Sequence, residues 1–381
     1  MLNIKVGQTT LQDYGGAAKE VTQDMQGAKL AFLYSSVNYD QAALIGSIKS
    51  ALPGVAIVGN TSFTGVITQK GYVSGDYFAG LMAFGGDVSI GVAGAERGDC
   101  PEATGEKIAL EAMKKAGKST APNYFYMVAS PGEEEFFLKG ITKVIGRVPF
   151  FGGSAADNSI SGDWKLFADD LVTANGTAVA FFYTDTAFAN EYTGAYCESD
   201  KAGVITKVRD NRVLEEIDGV PALKKYAEWS GKDVGNLKGM DLLVATICNP
   251  LGVKDRLGDL IAIRHPMNGN DDLSMNIGSN LAKNTAVIYM EGSVDGLIES
   301  AGATLRDLKG KLCDAAGFHL VHCGGRRAGI GDRIDEAAKL IKEAAGDVPF
   351  IVEFTFGEYG FEADGNNTCG GLMLSYSAFG K

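Results

Sequence analysis

Small polar side chains follow apolar runs at several places in this sequence, where they could hold a small molecule by hydrogen bonds. The runs VAIVGNTSFTG, VPFFGGSAADN and VPFIVEFTFGEYG begin at residues 55, 148 and 348. The polar residues that end them are Asn60, Thr61, Ser62, Ser154, Asp157, Asn158 and Glu358. In layered αβ folds, ligands tend to bind beyond the carboxyl ends of strands. We therefore expect these residues to line a ligand cleft, although the same residue types are also usual in turns.

Two arginines and two carboxylates could bind the charged groups of such a ligand. Arg264 lies in IAIRHPM, at the end of an apolar strand. Its guanidinium suits bidentate contact with a carboxylate, and a structural ion pair is the alternative. Arg326, in HCGGRR, follows a predicted strand and precedes a predicted helix, which is the place of a backbone anion site or of a solvated charge. Asp157 and Glu358 could bind an ammonium group, unless Asp157 only caps a turn. A site with both positive and negative side chains would suit an amino acid, which carries a carboxylate and an ammonium group.

Cys323 ends the strand GFHLVHCGG and could act as a nucleophile. This makes a thiol-dependent hydrolase or transferase the alternative function. His322, its neighbour on the strand, points to the opposite face, so it cannot easily serve as the base, which leaves His265 as the candidate base. We favour a small buried cysteine at a strand end over a catalytic one.

The elements around these residues predict one β-α-β-β-β unit that occurs twice, at residues 28–96 and 123–198. In both units an apolar strand, AKLAFLYSS or NYFYMVASP, precedes an amphipathic helix. The helices are expected at Asp40–Leu52 and at Ser130–Ile145, the second opened by a capping-box pattern with proline. A weaker third unit is expected at 317–379, where the order of elements is better evidence than the similarity of residues.

The segment between the second and third units is expected to hold shorter elements. We predict a hairpin around Asp210 and Asn211, a helix at Pro221–Trp229 and another at Asp295–Leu308. The runs DLLVATICNPLGV, DLIAIRHPM and NTAVIYMEGS are predicted as strands. The whole is expected to be α+β, with mixed, strand-rich sheets, helices packed outside, and two domains at 1–200 and 201–381.

Composition excludes several classes of function. The net charge is -12, and without a basic run this argues against nucleic acid and anionic membranes. No apolar run reaches the ~18 residues of a membrane-spanning helix, and the beginning lacks a signal core. The six cysteines form no CxxC pair, so we expect reduced thiols, a cytoplasmic location, and neither metal nor cofactor.

Four motifs together resemble the FIST family, in the family's order, from about Ala28 to Lys381. They are VPFFGGSAADN, ICNPLGV with IAIRHPM, VHCGGRRAGIG, and FTFGEYG with NNT. FIST modules have an N-terminal and a C-terminal part, and they are sensory modules proposed to bind small ligands such as amino acids. They are often joined to kinase, cyclase-like or chemotaxis output modules.

The resemblance implies a small-molecule-binding sensory protein of signal transduction, with FIST N-like and C-like domains at 1–200 and 201–381. It also places Asn367 of the NNT motif among the expected ligand-binding residues. No output module follows in the sequence, so a separate signalling output protein is the expected partner, unless the protein only stores its ligand. A pure interaction scaffold would instead have no ligand pocket and a large exposed apolar patch.

Overall fold

The computed structural model describes residues 1–254, 260–361 and 367–381. The α-helices are α1 (Tyr14–Val21), α2 (Gln41–Ala51), α3 (Pro101–Lys115), α4 (Glu134–Ile145), α5 (Ala222–Ser230), α6 (Asp241–Ala245), α7 (Val294–Lys311), α8 (Gly324–Ile330) and α9 (Ile334–Ala345). Short 3-10 turns lie at Val234–Leu237 and Gly331–Arg333. None of the described helices is both long and apolar enough to cross a membrane.

The strands are short and numerous. The first half of the chain contains β1 (Leu2–Thr9), β2 (Leu30–Ser35), β3 (Ala56–Thr61), β4 (Val66–Thr68), β5 (Gly71–Val73), β6 (Ala79–Gly86), β7 (Ser89–Glu96), β8 (Tyr124–Ala129), β9 (Phe150–Ser154), β10 (Leu166–Ala168), β11 (Leu171–Thr173), β12 (Gly176–Tyr183) and β13 (Phe188–Thr193). The second half contains β14 (Cys197–Arg209), β15 (Val213–Ile217), β16 (Val220–Pro221), β17 (Leu251–Lys254), β18 (Ile261–Arg264), β19 (Pro266–Gly269), β20 (Met275–Ile277), β21 (Ala286–Glu291), β22 (Ala315–Cys323), β23 (Phe350–Thr355), β24 (Glu358–Gly360), β25 (Thr368–Gly370) and β26 (Leu374–Gly380).

Three of the sheets have the same arrangement of strands. The first has the order β1-β6-β2-β3-β10-β11, the second β7-β12-β8-β9-β24-β25, and the third β13-β26-β22-β23-β4-β5. In each sheet the central pair is parallel and joined through helices, as in β2-α2-β3, and the other pairs are antiparallel. The last two strands of each sheet form a hairpin that belongs, along the chain, to another sheet. Each sheet is therefore completed by a hairpin from a neighbour.

The three sheets enclose a common aromatic core and carry the helices on their outer faces. Phe32 of the first sheet lies 6.1 Å, between ring centroids, from Phe151 of the second, which lies 5.6 Å from Phe379 of the third. Outside, α1 and α2 pack on the first sheet, α3 and α4 on the second, and α7 and α9 on the third. The expected fold class, strand-rich mixed sheets with helices outside, is confirmed.

A fourth sheet, β18-β17-β21-β14-β15-β20-β19 with β16 at its side, forms a separate layer. Its core includes Leu214, Tyr226 and Trp229, which places α5 against this sheet. Strand β14 runs through residue 200 without a break. The fourth sheet therefore continues directly from the strand β13 that borders the third sheet.

Some predicted elements differ from the observed ones. The run DLLVA, predicted as a strand, is helix α6, with Leu242 and Leu243 buried and Val244 exposed. Helix α4 begins at Glu134 and not at Ser130, because the Ser130 hydroxyl bonds to the backbone of Gly176. Gly132, at φ +121°, also lies outside helical geometry.

Candidate functional site

A cavity of about 410 Å³ lies beyond the carboxyl ends of strands from all three related sheets. Its walls include Phe63 after β3, Gly132 after β8, Trp164 in the segment after β9, Cys323 at the end of β22, and Phe356 after β23. The fourth sheet and α6 close the other side. We call this the central cavity.

One wall of the central cavity is aromatic. The ring of Phe356 lies 5.7 Å from that of Phe63 and 6.2 Å from that of Trp164, the second pair being perpendicular. Edge-to-face pairs of this kind stabilise the arrangement of the rings beyond the area they bury. Met267 adds a flexible thioether to the lining. This wall suits the apolar body of a small molecule.

Arg212 brings a positive charge to the wall of the central cavity. Its Nη2 donates to Glu134 at 2.8 Å and to Glu135 at 2.6 Å, and its Nη1 donates to the Gly278 carbonyl. Its Nε is buried and has no hydrogen-bond partner within the described residues. A buried donor without a partner is costly, so this nitrogen is available to a ligand oxygen.

The other titratable groups at the cavity are uncharged at neutral pH. Burial lowers the pKa of His265 to about 4, and its Nε2 lies 3.1 Å from the Leu243 carbonyl. Burial also raises the pKa of the Cys323 thiol, and the nearby Glu358 carboxyl adds to this effect. A nucleophilic cysteine needs a lowered pKa, so the surroundings of Cys323 favour a structural thiol.

The polar residues at the end of β3 lie inside the protein and bind other parts of the chain. Asn60 donates to Glu353 Oε2 at 3.0 Å and accepts from the Tyr126 hydroxyl at 3.0 Å. Thr61 donates to the Ala156 carbonyl at 2.7 Å, and Ser62 to the Gly65 carbonyl at 2.7 Å. These three side chains are fully buried and do not line the central cavity.

The second polar cluster builds the loop that covers the central cavity. Asp157 is fully buried and accepts from the backbone N–H groups of Ser159, Ser161, Gly162 and Asp163 at 2.8–3.2 Å. Asn158 accepts from the N–H of Thr64 at 2.9 Å. Ile160, Ser161 and Gly162 of this loop line the cavity. Asp157 and Asn158 therefore position the loop from behind, without lining the cavity themselves.

The first glycine of the GGS segment, Gly152, is required by the strand. Gly152 has φ +129°, and a Cβ there would lie 1.9 Å from the carbonyl oxygen of Met127. Ser154 follows with a fully buried hydroxyl that bonds Glu134 at 2.8 Å and the Tyr359 hydroxyl at 2.9 Å. The small residues of GGS thus serve close contact between strands.

Glu358 lies behind Cys323 and is fully buried. It accepts from the Thr355 hydroxyl and from the Met373 N–H, both at 3.0 Å. Burial raises the pKa of Glu358 to about 8, so the carboxyl holds its proton over much of the neutral range. Its carboxyl lies near Cys323, whose pKa it raises, but does not line the central cavity.

Arg326 is buried on the side of α8 that faces α7. Its Nη2 donates to the Leu297 carbonyl at 3.0 Å and to the Ser300 hydroxyl at 2.6 Å. Helix α8 begins directly after Cys323, so Arg326 lies within a helix and not ahead of one as expected. Its side chain does not line the central cavity.

Arg264 and Asn367 lie at a second, smaller cavity of about 370 Å³. Glu135 also lines it, and this residue binds Arg212 of the central cavity. Of the eleven residues expected to bind ligand, Cys323 lines the central cavity and these two line the second one. The side chains of the other eight residues line neither of these two cavities and bind neighbouring parts of the chain instead.

Sequence reasoning missed most residues of the central cavity. Phe63 directly follows the polar residues Asn60, Thr61 and Ser62, and Phe356 directly follows Thr355 at the end of β23. An aromatic residue after these two strand ends was the available signal. Arg212 lies in the hairpin turn after β14, and nothing in its local sequence connects it to Glu134. Long-range pairing of this kind is visible only in the fold.

Comparison with known proteins identifies the class to which this chain belongs. The FIST N domain model matches residues 29–220, and the FIST C domain model matches residues 222–360. The chain therefore belongs to the FIST family, as the resemblance of its motifs predicted. FIST domains are sensory domains of signal transduction and are thought to bind small ligands.

Other comparisons are weaker. No curated protein matches the chain. Among solved structures, phosphoribosylformylglycinamidine synthase II from Thermotoga maritima is 11% identical to this chain, with a TM-score of 0.23. The match covers 100% of this chain and 72% of the synthase chain. PurLQS from Thermotoga maritima is 12% identical over the same shares, at a TM-score of 0.24. Scores this low carry no argument about fold or function.

Proposed function

We propose that this protein is a sensory protein that binds a small molecule in the central cavity. The observation that carries the proposal is the cavity itself, about 410 Å³ in volume, with an aromatic wall and a buried guanidinium donor. Ligand pockets are typically roughly 300–1,000 Å³, mostly apolar, with a few polar groups that fix orientation. Membership of the FIST family supports the sensory role.

The ligand class that fits best is an amino acid or a small carboxylate with an apolar body. The rings of Phe63, Trp164 and Phe356 would pack on that body, and Arg212 Nε would donate to a carboxylate oxygen. The charge of Arg212 is already balanced by two glutamates. A zwitterion, which is neutral overall, therefore suits the site better than a dianion.

Titration calorimetry with matched compounds tests this ligand class. The probes are L-phenylalanine, phenethylamine without the carboxylate, 3-phenylpropionate without the ammonium group, and L-aspartate without the apolar body. We expect the first to bind most tightly and to raise the melting temperature, since a ligand at 100 times its Kd stabilises the folded state by about 2.7 kcal/mol. Equal binding of phenethylamine would contradict the role of Arg212.

A cavity-filling variant tests the location. A Cβ at Gly278 would meet no atom closer than 3.7 Å, so Gly278→Leu keeps the backbone while its side chain fills the cavity. Gly310→Leu, on the exposed surface of α7 with open space around it, is the matched control. We expect Gly278→Leu to lose binding and Gly310→Leu to keep it. Unchanged affinity in both variants would refute the site.

A signalling output protein is the partner that we infer for this module. The sensory role of the family supports this inference. The cavity supports binding more than catalysis, since Cys323 is protonated and no charged base lies beside it in the described residues.

A further inference from the structure

The second cavity has its own chemistry, which differs from that of the central cavity. It lies between α4 and the ends of β18 and β25, and its lining includes Lys139, Arg147, Arg264, Asn280 and Thr368. Three of these five residues are cations, and the lining also contains the carboxylate Glu135. Its lining is therefore more polar and more basic than that of the central cavity.

Arg264 donates only to neutral groups in the part of the chain that the structure describes, although Glu135 lines the same cavity and its charge raises the pKa of Arg264. Its Nε donates to the Asn280 carbonyl at 3.1 Å and its Nη1 to the Ile263 carbonyl at 3.2 Å, and both acceptors are neutral. Within the described residues, no carboxylate forms an ion pair with its guanidinium. Burial lowers the pKa of Arg264, which shows that the protein around it disfavours the charge. Arg264 is half-buried, and a charge partly removed from water is normally paired, so the open cavity beside it is where an anion would bind.

Two amide oxygens at the second cavity place a second requirement on its ligand. Oδ1 of Asn280 and Oδ1 of Asn367 are buried and have no hydrogen-bond partner within the described residues. An anion with acceptor oxygens alone would leave these two groups unpaired. A ligand that also carries an O–H group would satisfy both the guanidinium and an amide oxygen.

We propose that the second cavity is a binding site for a small oxyanion that carries a hydroxyl hydrogen. Hydrogen phosphate and small hydroxy acids share this chemistry. The guanidinium of Arg264 would contact the anionic oxygens, and Asn280 or Asn367 would accept from the hydroxyl group. The site is separate from the central cavity, because the Glu135–Arg212 ion pair stands between them.

Calorimetry of the intact protein at constant ionic strength tests the proposal. The probes are inorganic phosphate, lactate, acetate and sulfate, of which the last two lack a hydroxyl group near neutral pH. We expect phosphate or lactate to bind at least about tenfold more tightly than sulfate and acetate, the effect of one hydrogen bond to a buried group. The stronger of the two identifies the source of the oxyanion. Equal affinity for all four would overturn the proposal.

Variants locate the binding. Arg264→Gln is expected to weaken binding of the preferred probe at least about tenfold, because charge-assisted hydrogen bonds are lost. Arg209→Gln removes an exposed arginine outside the cavity and is the matched control. Lys139→Gln, exposed at the cavity rim, gives a milder test if Arg264→Gln does not fold. A folded Arg264→Gln, or failing that Lys139→Gln, with unchanged affinity refutes the site.

The central cavity provides an internal control. Gly278→Leu fills that cavity alone, so it is expected to leave binding of phosphate or lactate unchanged. Loss of oxyanion binding in Gly278→Leu would place the oxyanion in the central cavity and overturn the second site. The outcome is independent of whether an amino acid binds the central cavity.

Discussion

Asp157 holds the loop over the central cavity, and its replacement gives the sharpest test of this structure. The carboxylate is fully buried and accepts four backbone N–H groups at 2.8–3.2 Å. Each hydrogen bond to a charged group contributes roughly 1.5–3 kcal/mol, but the N–H groups belong to exposed residues and would bind water in a variant. We therefore expect Asp157→Ala to lower the free energy of unfolding by about 3 kcal/mol.

Asp157→Asn tests the charge of the Asp157 side chain separately from its shape. The amide keeps one oxygen for two of the four N–H groups and turns an NH₂ group towards the other two. We expect it to lose less than Asp157→Ala, about 1–2 kcal/mol. Asp163→Asn, an exposed carboxylate of the same loop, is the control and is expected to stay within about 0.5 kcal/mol of the wild type.

Urea unfolding followed by tryptophan fluorescence measures these differences, since Trp164 lies at the end of the loop. Asp157→Ala and Asp157→Asn should also weaken ligand binding in the central cavity, because Ile160, Ser161 and Gly162 of the loop line it. If Asp157→Ala unfolds at the same urea concentration as Asp163→Asn, the four hydrogen bonds do not hold the loop and the reasoning is wrong.

Three further predictions concern the buried titratable groups. Cys323 should react with iodoacetamide at neutral pH far more slowly than the exposed Cys313, by peptide mass spectrometry, because burial raises the pKa of its thiol. Glu358 binds its proton more tightly in the folded protein, with a pKa of about 8 against 4.5 when unfolded. The wild type should therefore lose stability as the pH rises from about 4.5 to 8, and Glu358→Gln should lack this loss in urea titrations. Arg212→Met should lower the free energy of unfolding by about 3–5 kcal/mol, because it leaves the buried Glu134 without its cation.

Each of these predictions has a clear contrary result. Fast, selective alkylation of Cys323 would favour the alternative function, a thiol-dependent hydrolase or transferase. Parallel pH profiles for the wild type and Glu358→Gln would show that this carboxyl is not the source of the slope. A stability of Arg212→Met close to that of the wild type would mean that Glu134 is neutral without the arginine.

Much of the fold could be predicted from periodicity. The helix expected at Asp40–Leu52 is observed at Gln41–Ala51, with the Asp40 side chain accepting from the N–H of Ala43 as its cap. The helix expected at Asp295–Leu308 is observed at Val294–Lys311. Each of these helices carries apolar residues along one face, turn after turn. This periodicity can be read from the sequence without knowing which element the helix packs against. The strand predicted for DLLVA was wrong, because five residues are too few to distinguish the periodicity of a helix from that of a strand.

The site was harder to predict than the fold. Polar residues at the strand ends are where sequence reasoning places them, but many of their partners are distant in the chain. Asn60 and Glu353 are 293 residues apart, and Ser154 and Tyr359 are 205 apart. No local pattern distinguishes a polar residue that binds a ligand from one that binds a strand of another sheet. The family resemblance predicted a sensory domain, and the cavity became visible only in the fold.

The hairpin exchange among the three related sheets has a consequence for how the chain acquires its structure. Strands β4 and β5, from the first fifth of the chain, complete the sheet that contains β22 and β23 near its end. That hairpin has no strand to join until the last part of the chain is present. We expect slow, late and highly cooperative folding, because such pairings must close very long loops. The N-terminal FIST half expressed alone lacks β24 and β25, so we expect its second sheet to stay incomplete. The C-terminal half lacks β4, β5 and β13, so we expect the same of the third sheet.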